Sequence, residues 1–217
     1  MAARRAAIPV RVRLLPRHVA ALLIAAGLAC AGGARAAERT DEVLSALNRA
    51  RTDPAGFATV LQHYRARLHG KSYLKPGTAN TWIDTQEGVV AIDEAIAVLR
   101  ATRPLPPLAT HEGLRRAAED HVAWQGPRGE LGHVGEGHSS PFDRMRRYGV
   151  TKRATGENIS YGSAGLQIVI DLIVDDGVAS RGHRRNILDP GFRAVGIAIG
   201  PHRRYGTMCV MDLAAAP

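Results

Sequence analysis

Beyond residue 36 the apolar residues fall into two regimes: helical spacing in the first half of the chain, and continuous or alternating runs in the second. Over TDEVLSALNRARTDPAGFATVLQHYRARL, Val43, Leu44, Leu47 and Ala50 recur on one helical face. Thr40 and Asp41 stand as cap candidates, and Pro54 divides the pattern into two helices. Residues 88–102 repeat the spacing with Val89, Ile92, Ile96 and Leu99. RPLPPL then forces an extended connector, because each proline fixes φ and disfavours helix in the residue before it. A third helix, 111–126, carries Leu114, Ala118 and Val122 on its stripe together with His121, which reads as a core histidine. Ser140 before Pro141 predicts a short capped helix over SPFDRMRRYG.

The interval between Leu68 and Glu87 has Gly, Pro, Asn and Thr but no period, so it reads as a long loop-rich insertion. Further on, ENISYG is a short strand, and GLQIVIDLIVDDG is apolar over a length that favours a helix. AVGIAIG (194–200) and YGTMCVMDLA (205–214), joined by PHRR, predict a β-hairpin. Helices before and between, with an antiparallel sheet at the end, predict an α+β layer architecture.

The first 36 residues change the reading of charge. They hold six arginines, no acidic residue, the run VAALLIAAGLACAGG and a terminal Ala34-Arg35-Ala36, the pattern of a cleaved signal peptide. The run is short for a membrane helix, which needs about 20 residues. Cys30 in GLAC is similar to a lipoprotein signal, with Gly27 where a bulky aliphatic residue is wanted. Without this segment the net charge falls from +9 to 9 − 6 = +3, so the high pI is no argument for a nucleic-acid partner, and none is expected. The arginine clusters RMRR (144–147) and HRR (183–185 and 202–204) lack interleaved aromatics and read as solvated faces. Cys209 alone remains beyond the signal segment, so no internal disulfide is expected despite export. Residues 37–217 are long enough to form one domain on an apolar core, without a membrane span, in an extracellular or periplasmic location. No oligomeric state is read from the sequence.

Candidate chemistry begins with GHVGEGHSSPFDR, where His133 and His138 sit among glycines and serines and not on a periodic apolar element. This segment, followed by GENISYG, SRGHRRNILDPGFRAVGIAIG and YGTMCVMDLA, resembles the CAP superfamily of cysteine-rich secretory and pathogenesis-related proteins, in its bacterial SCP-like branch. The resemblance is strong over 110–214, reaches LSALNRARTDPAGF, and fits least over 68–107.

It implies a secreted α-β-α three-layer sandwich with a central antiparallel sheet. It also implies a cleft of two histidines and acidic residues that in many members binds a divalent ion such as zinc. Position by position, His133 matches the first cleft histidine, Glu157 the glutamate of Glu-Asn-Ile, and His183 the histidine of Gly-His-Arg. Asp175 and Asp176 lie nearest to the remaining acidic position. Asn158, Tyr205 and Thr207 are further cleft candidates, although Tyr205-Gly206-Thr207-Met208 replaces the usual Tyr-Thr-Gln. His138 has no matching position and reads as a bystander.

Two imidazoles offer borderline-soft nitrogen ligands, and Glu157 would be a third ligand or the base for a bound water. The plainer alternatives stay open at this point. Glu157 would fix a loop through backbone amides, His183 would cap a short helix with Arg181 and Arg184 exposed, and Asp175 and Asp176 would end the preceding helix. Two functions follow: a binding module for an ion, a lipid, a sterol or a cell-envelope partner, and, as the alternative, a zinc-dependent hydrolase or protease. Neither H-E-x-x-H nor G-x-S-x-G occurs, and Ser139 and Ser140 adjoin His138 only in sequence, so no catalytic residue is assigned and the binding module is the favoured reading.

Overall fold

The computed structural model describes residues 39–75, 77–151 and 154–215; the signal-peptide segment and Cys30 lie outside the described residues. Helix α1 covers residues 39–52 and α2 runs over Pro54–Arg65. The one-residue break between them is chemical. Pro54 cannot donate to the preceding turn, and Asp53 restarts the helix by accepting from the Gly56 amide at 2.8 Å.

The interval expected as a loop folds instead into a small antiparallel sheet of β1 (Leu68–His69), β2 (Ser72–Leu74) and β3 (Trp82–Asp84). Strands of two or three residues are too short to display a period of two, which is why the sequence shows none. Tyr73 of β2 anchors this sheet on Tyr64 of α2, their rings edge to face at 5.1 Å.

Helix α3 (Val89–Ala101) follows, then the short strand β4 (Ala109–Thr110) and helix α4 (Glu112–Arg128). Helix α5 (Pro141–Arg147) opens on a reciprocal capping box between Ser140 and Asp143. Strand β5 (Thr155–Tyr161), helices α6 (Leu166–Val174) and α7 (Gly182–Ile187), and the hairpin of β6 (Phe192–His202) and β7 (Gly206–Ala215) complete the chain. The main sheet has the order β4-β6-β7-β5 and is antiparallel except for β4, which lies parallel to β6.

The period of two along the hairpin builds three layers. Val195, Ile197, Cys209, Met211 and Leu213 project into the large core with α1, α2, α3 and α6. Ala194, Ala198, Met208, Val210 and Ala214 project the other way, toward α4 and α5. From Ala194 to Gly200 the β6 residues on the α4 side are all small. A Cβ at Gly196 would lie 2.0 Å from the Arg115 amide nitrogen, and one at Gly200 would lie 2.4 Å from Val122 Cγ1. The helix therefore rests on backbone, and only the absence of side chains permits that approach.

Three arginines are interior. Arg51 is fully buried and donates to the carbonyls of Pro106, Ile187, Asp189 and Phe192, joining the connector before β4 to the loop after α7. Arg144, expected on a solvated face, is 1% exposed. Arg184, also expected to be exposed, is buried against the carbonyls of Ile173 and Val174 and pairs with Glu94. Arg181 is largely covered and bridges Glu87 and Glu94. These guanidiniums are tolerated inside because carbonyls and carboxylates meet most of their donors.

Candidate functional site

The site is organised by two consecutive residues of β5, Glu157 and Asn158. Neighbours on a strand point to opposite faces, so Glu157 turns toward α5 and the 132–139 loop while Asn158 turns toward α7. Glu157 is buried, and both of its oxygens are engaged: Oε1 meets His133 Nδ1 at 2.7 Å and Oε2 accepts from Arg144 Nη2 at 2.6 Å. Burial works against its ionisation, but the hydrogen bond from His133 and the charge of Arg144 outweigh that and hold the carboxyl below its ordinary range. An ionised Glu157 can only accept, so His133 Nδ1 is the donor. In the neutral ring Nε2 then carries the lone pair.

Arg144 also fixes the loop that carries His133, donating through Nη1 to the carbonyls of His133 and Ser139, each at 3.1 Å. Gly135 makes room for this guanidinium, since a Cβ there would stand 2.8 Å from Nη1. At the root of the loop, the Gly132 carbonyl accepts from Gln125 Nε2 at 2.7 Å and meets His121 Nε2 at 3.0 Å. The Gly132 amide donates to the Tyr161 hydroxyl. His121 is thus the core histidine its helical stripe predicts, fully buried, with burial lowering its proton affinity.

The second pair follows the same plan. Asp175 ends α6 in a left-handed conformation, φ +56°, and its side chain reaches forward to α7. Oδ1 meets His183 Nδ1 at 2.7 Å, and Oδ2 accepts from the backbone amides of His183 and Arg184 at 2.9 and 3.3 Å. Asn158 donates to the His183 carbonyl at 3.1 Å and accepts from Asn186 at 2.8 Å. Each imidazole is therefore oriented by a buried carboxylate through Nδ1. The His133 side chain stays half exposed and that of His183 about a quarter exposed. Neither Nε2 has a partner among the described residues.

Glu157 is used up by His133 and Arg144, and among the described residues no three His, Cys, Asp or Glu side chains are placed to hold a metal ion. Glu157 stands behind His133 with no free oxygen for a metal or for a water to be deprotonated. A three-ligand zinc centre therefore does not fit these residues. What the arrangement offers is two preorganised imidazole edges, each backed by a carboxylate.

The remaining candidates lie elsewhere. Asp176 accepts from the Gln86 and Glu87 amides at 2.6 and 2.8 Å and ties the segment before α3 to the end of α6. Tyr205 is 39% exposed at the hairpin tip, 5.8 Å from the Tyr161 ring. Thr207 donates to the Gly200 carbonyl. His138 is exposed, Ser140 is a helix cap and Ser139 is buried. Burial pushes the Cys209 thiol up to about 12, which removes it as a nucleophile.

Two residues of the site escape sequence reasoning. Arg144 was hidden in an arginine cluster. Asp212 is fully buried on β7, opposite Glu157 in the β5–β7 register, and burial followed by the charge of Glu157 raises its pKa well above the usual range. Its signal was an acidic residue in the alternating run Met208, Val210, Asp212, Ala214, where the strand pattern demands an apolar side chain.

The family model described as CAP, Cysteine-rich secretory protein family, matches residues 94–213. The uncharacterized protein YkwD of Bacillus subtilis (strain 168) is 30% identical over 129 residues, 56% of this chain, and the chain spans about half, 49%, of that relative. Among solved structures, an extracellular protein containing a SCP domain from Bacillus anthracis str. Ames aligns with TM-score 0.43 at 21% identity, over 52% of this chain and 35% of that one. An outer surface protein from Borrelia burgdorferi aligns with TM-score 0.45 at 15% identity, over 52% of this chain and 80% of that one.

Proposed function

This chain belongs to the cysteine-rich secretory protein (CAP) family, and from that premise we propose that it is an exported, non-catalytic binding module that presents His133 and His183 to a cell-envelope ligand. The single observation that carries the reading is the pair of 2.7 Å contacts from Nδ1 to buried carboxylates, on two rings whose Nε2 atoms have no partner among the described residues. Such rings are fixed in tautomer and direction before a ligand arrives, which lowers the ordering cost of binding. With Nδ1 donating to a carboxylate, each Nε2 accepts, so the rings suit a ligand that donates hydroxyl groups, such as the hydroxyls of a lipid headgroup or of a sterol of an envelope. Export is supported by the arginine-rich, apolar first 36 residues, and no helix of the described residues is long and apolar enough to cross a membrane. A hydrolase draws no support from this geometry: Glu157 is committed to His133 and Arg144, and no serine or cysteine among the described residues is hydrogen-bonded to a histidine, the serine hydroxyls that meet carboxylates serving a helix cap, a strand pair and a turn.

Co-sedimentation tests the reading. Protein recovered from the medium of a secreting bacterial host is mixed with isolated bacterial envelopes and centrifuged. Wild type is expected in the pellet and the His133→Ala, His183→Ala double variant in the supernatant. Equal partition of the two, or peptide hydrolysis abolished by Glu157→Gln, would overturn it.

A further inference from the structure

A cavity of about 730 Å³ opens between the small sheet, α2, α3, α6, the hairpin tip and the turn that follows β5. Neither His133 nor His183 lines it. Much of its wall, including Tyr64, Tyr73, Ile83 and Ile92, precedes the family-matched segment that starts at residue 94. The small sheet over 68–84 therefore has a structural consequence: it closes one side of a recess that the matched segment alone would leave open.

The lining decides what class of ligand fits. Its aromatic surface comes from two ring pairs, Tyr64 with Tyr73 and Tyr161 with Tyr205. The Tyr161 hydroxyl is committed to Gln125 and to the Gly132 amide, so this residue offers the cavity its ring and not its oxygen. Hydrogen-bonding groups share the lining. Asp171 accepts from Ser163 and from Gln167 at 2.7 Å, Asp84 accepts from Ser72, and Lys75 donates to the Gly162 carbonyl at 3.2 Å.

A fatty chain or sterol ring system would desolvate these carboxyls and an ammonium without compensation. A small ion of either sign gains little, because Asp84, Asp171 and Asp176 face Lys75 and Arg204 on the same lining. Burial also pushes the Asp171 carboxyl up to about 6, which brings the charges closer to balance. The ligand left is neutral, rich in hydroxyl or amide groups on one side and in C–H surface on the other.

We propose that this cavity is a saccharide-binding site, with Tyr161 and Tyr205 as stacking surfaces and Asp84 and the Gln167 side-chain carbonyl as hydrogen-bonding groups, Asp171 holding the Gln167 amide in place. Its volume lies within the range of small-molecule pockets and holds a ligand of about two sugar rings. The site is independent of the histidine reading and stands or falls separately.

Calorimetric titration of the secreted protein with cellobiose, maltose, lactose and N,N′-diacetylchitobiose tests it, with choline and laurate as charged and apolar comparators. At least one disaccharide is expected to bind, with affinity reduced by about tenfold or more in Tyr205→Ala and in Gln167→Ala. Tyr205 is a surface residue, so that variant keeps the fold. The His133→Ala, His183→Ala variant is expected to bind the sugar like wild type. Silence from all four disaccharides, binding of choline or laurate instead, or a sugar affinity indifferent to both cavity variants would overturn the assignment.

Discussion

Glu157 and Asp212 face each other across β5 and β7 as two buried carboxyls served by one arginine, Arg144, which pairs with the Glu157 oxygen that does not meet the half-exposed His133. No donor meets either Asp212 oxygen while both groups are ionised. With burial raising its pKa, Asp212 keeps its proton and donates it toward Glu157, so the pair carries one negative charge against one guanidinium. Asp212→Asn should then be nearly neutral for stability, because the amide replaces the acid proton as donor. Arg144→Met should not be, since it strands a buried carboxylate at a cost of about 3–5 kcal/mol. Urea unfolding of the two variants separates them. A loss under about 1 kcal/mol for Arg144→Met would refute this account of the pair.

Asp171 gives stability a pH dependence of opposite sign to the usual salt-bridged carboxylate. Its ordinary pKa is 3.8, and burial pushes it up to about 6 in the fold. The native state therefore binds more protons than the unfolded state between these values, and the stability that Asp171 contributes is full below pH 4 and falls as pH rises toward 6. Asp171→Asn abolishes the ionisation. It should be more stable than wild type at pH 7 by about 1–3 kcal/mol and show no advantage at pH 4. Thermal denaturation at the two pH values measures this. An advantage equal at both would show that charge at Asp171 is not the cause.

The layers were legible because each relied on a pattern longer than one turn. The stripe of Val43, Leu47 and Ala50, the Ser140-Pro141 cap and the alternation through AVGIAIG all survive in the fold. His133, Glu157 and His183 were legible only through the order of their motifs, and what the order left unsaid was direction. Nothing in sequence tells whether a carboxylate stands beside a histidine, sharing a ligand, or behind it, accepting from Nδ1. Here both stand behind. Arg144 and Arg184 were misread because arginine is surface-bound by default, and the carbonyls that satisfy them inside belong to distant loops or to helix ends. The strands over 68–84 were too short to register.

The contact between α4 and β6 sets a steric prediction. Val195 and Ile197 tolerate conservative exchange because they face a side-chain core, whereas Gly196 faces backbone. A methyl there would stand 2.0 Å from the Arg115 amide nitrogen, and a helix cannot rotate away as a side chain would. Gly196→Ala should cost at least about 1–3 kcal/mol, against less than about 1.5 kcal/mol for Ile197→Val. Guanidinium unfolding of both variants checks the ranking, and the reverse order would mean that α4 is free to shift.

Zinc affinity separates a two-imidazole surface from a true metal centre. Structural and catalytic zinc sites take three or four protein ligands, and here Glu157 and Asp175 turn their oxygens to Nδ1 atoms and backbone amides instead. Two Nε2 atoms alone should bind zinc weakly, with a dissociation constant above about 1 μM, corresponding to less than about 8 kcal/mol. His133→Ala should weaken even this, and Glu157→Gln should act only indirectly, by loosening the His133 ring. Calorimetry on metal-stripped protein gives the answer. Stoichiometric zinc held through dialysis, and lost in Glu157→Gln as completely as in His133→Ala, would mean that Glu157 leaves Arg144 to join the metal, and the carboxylates would then be ligands after all.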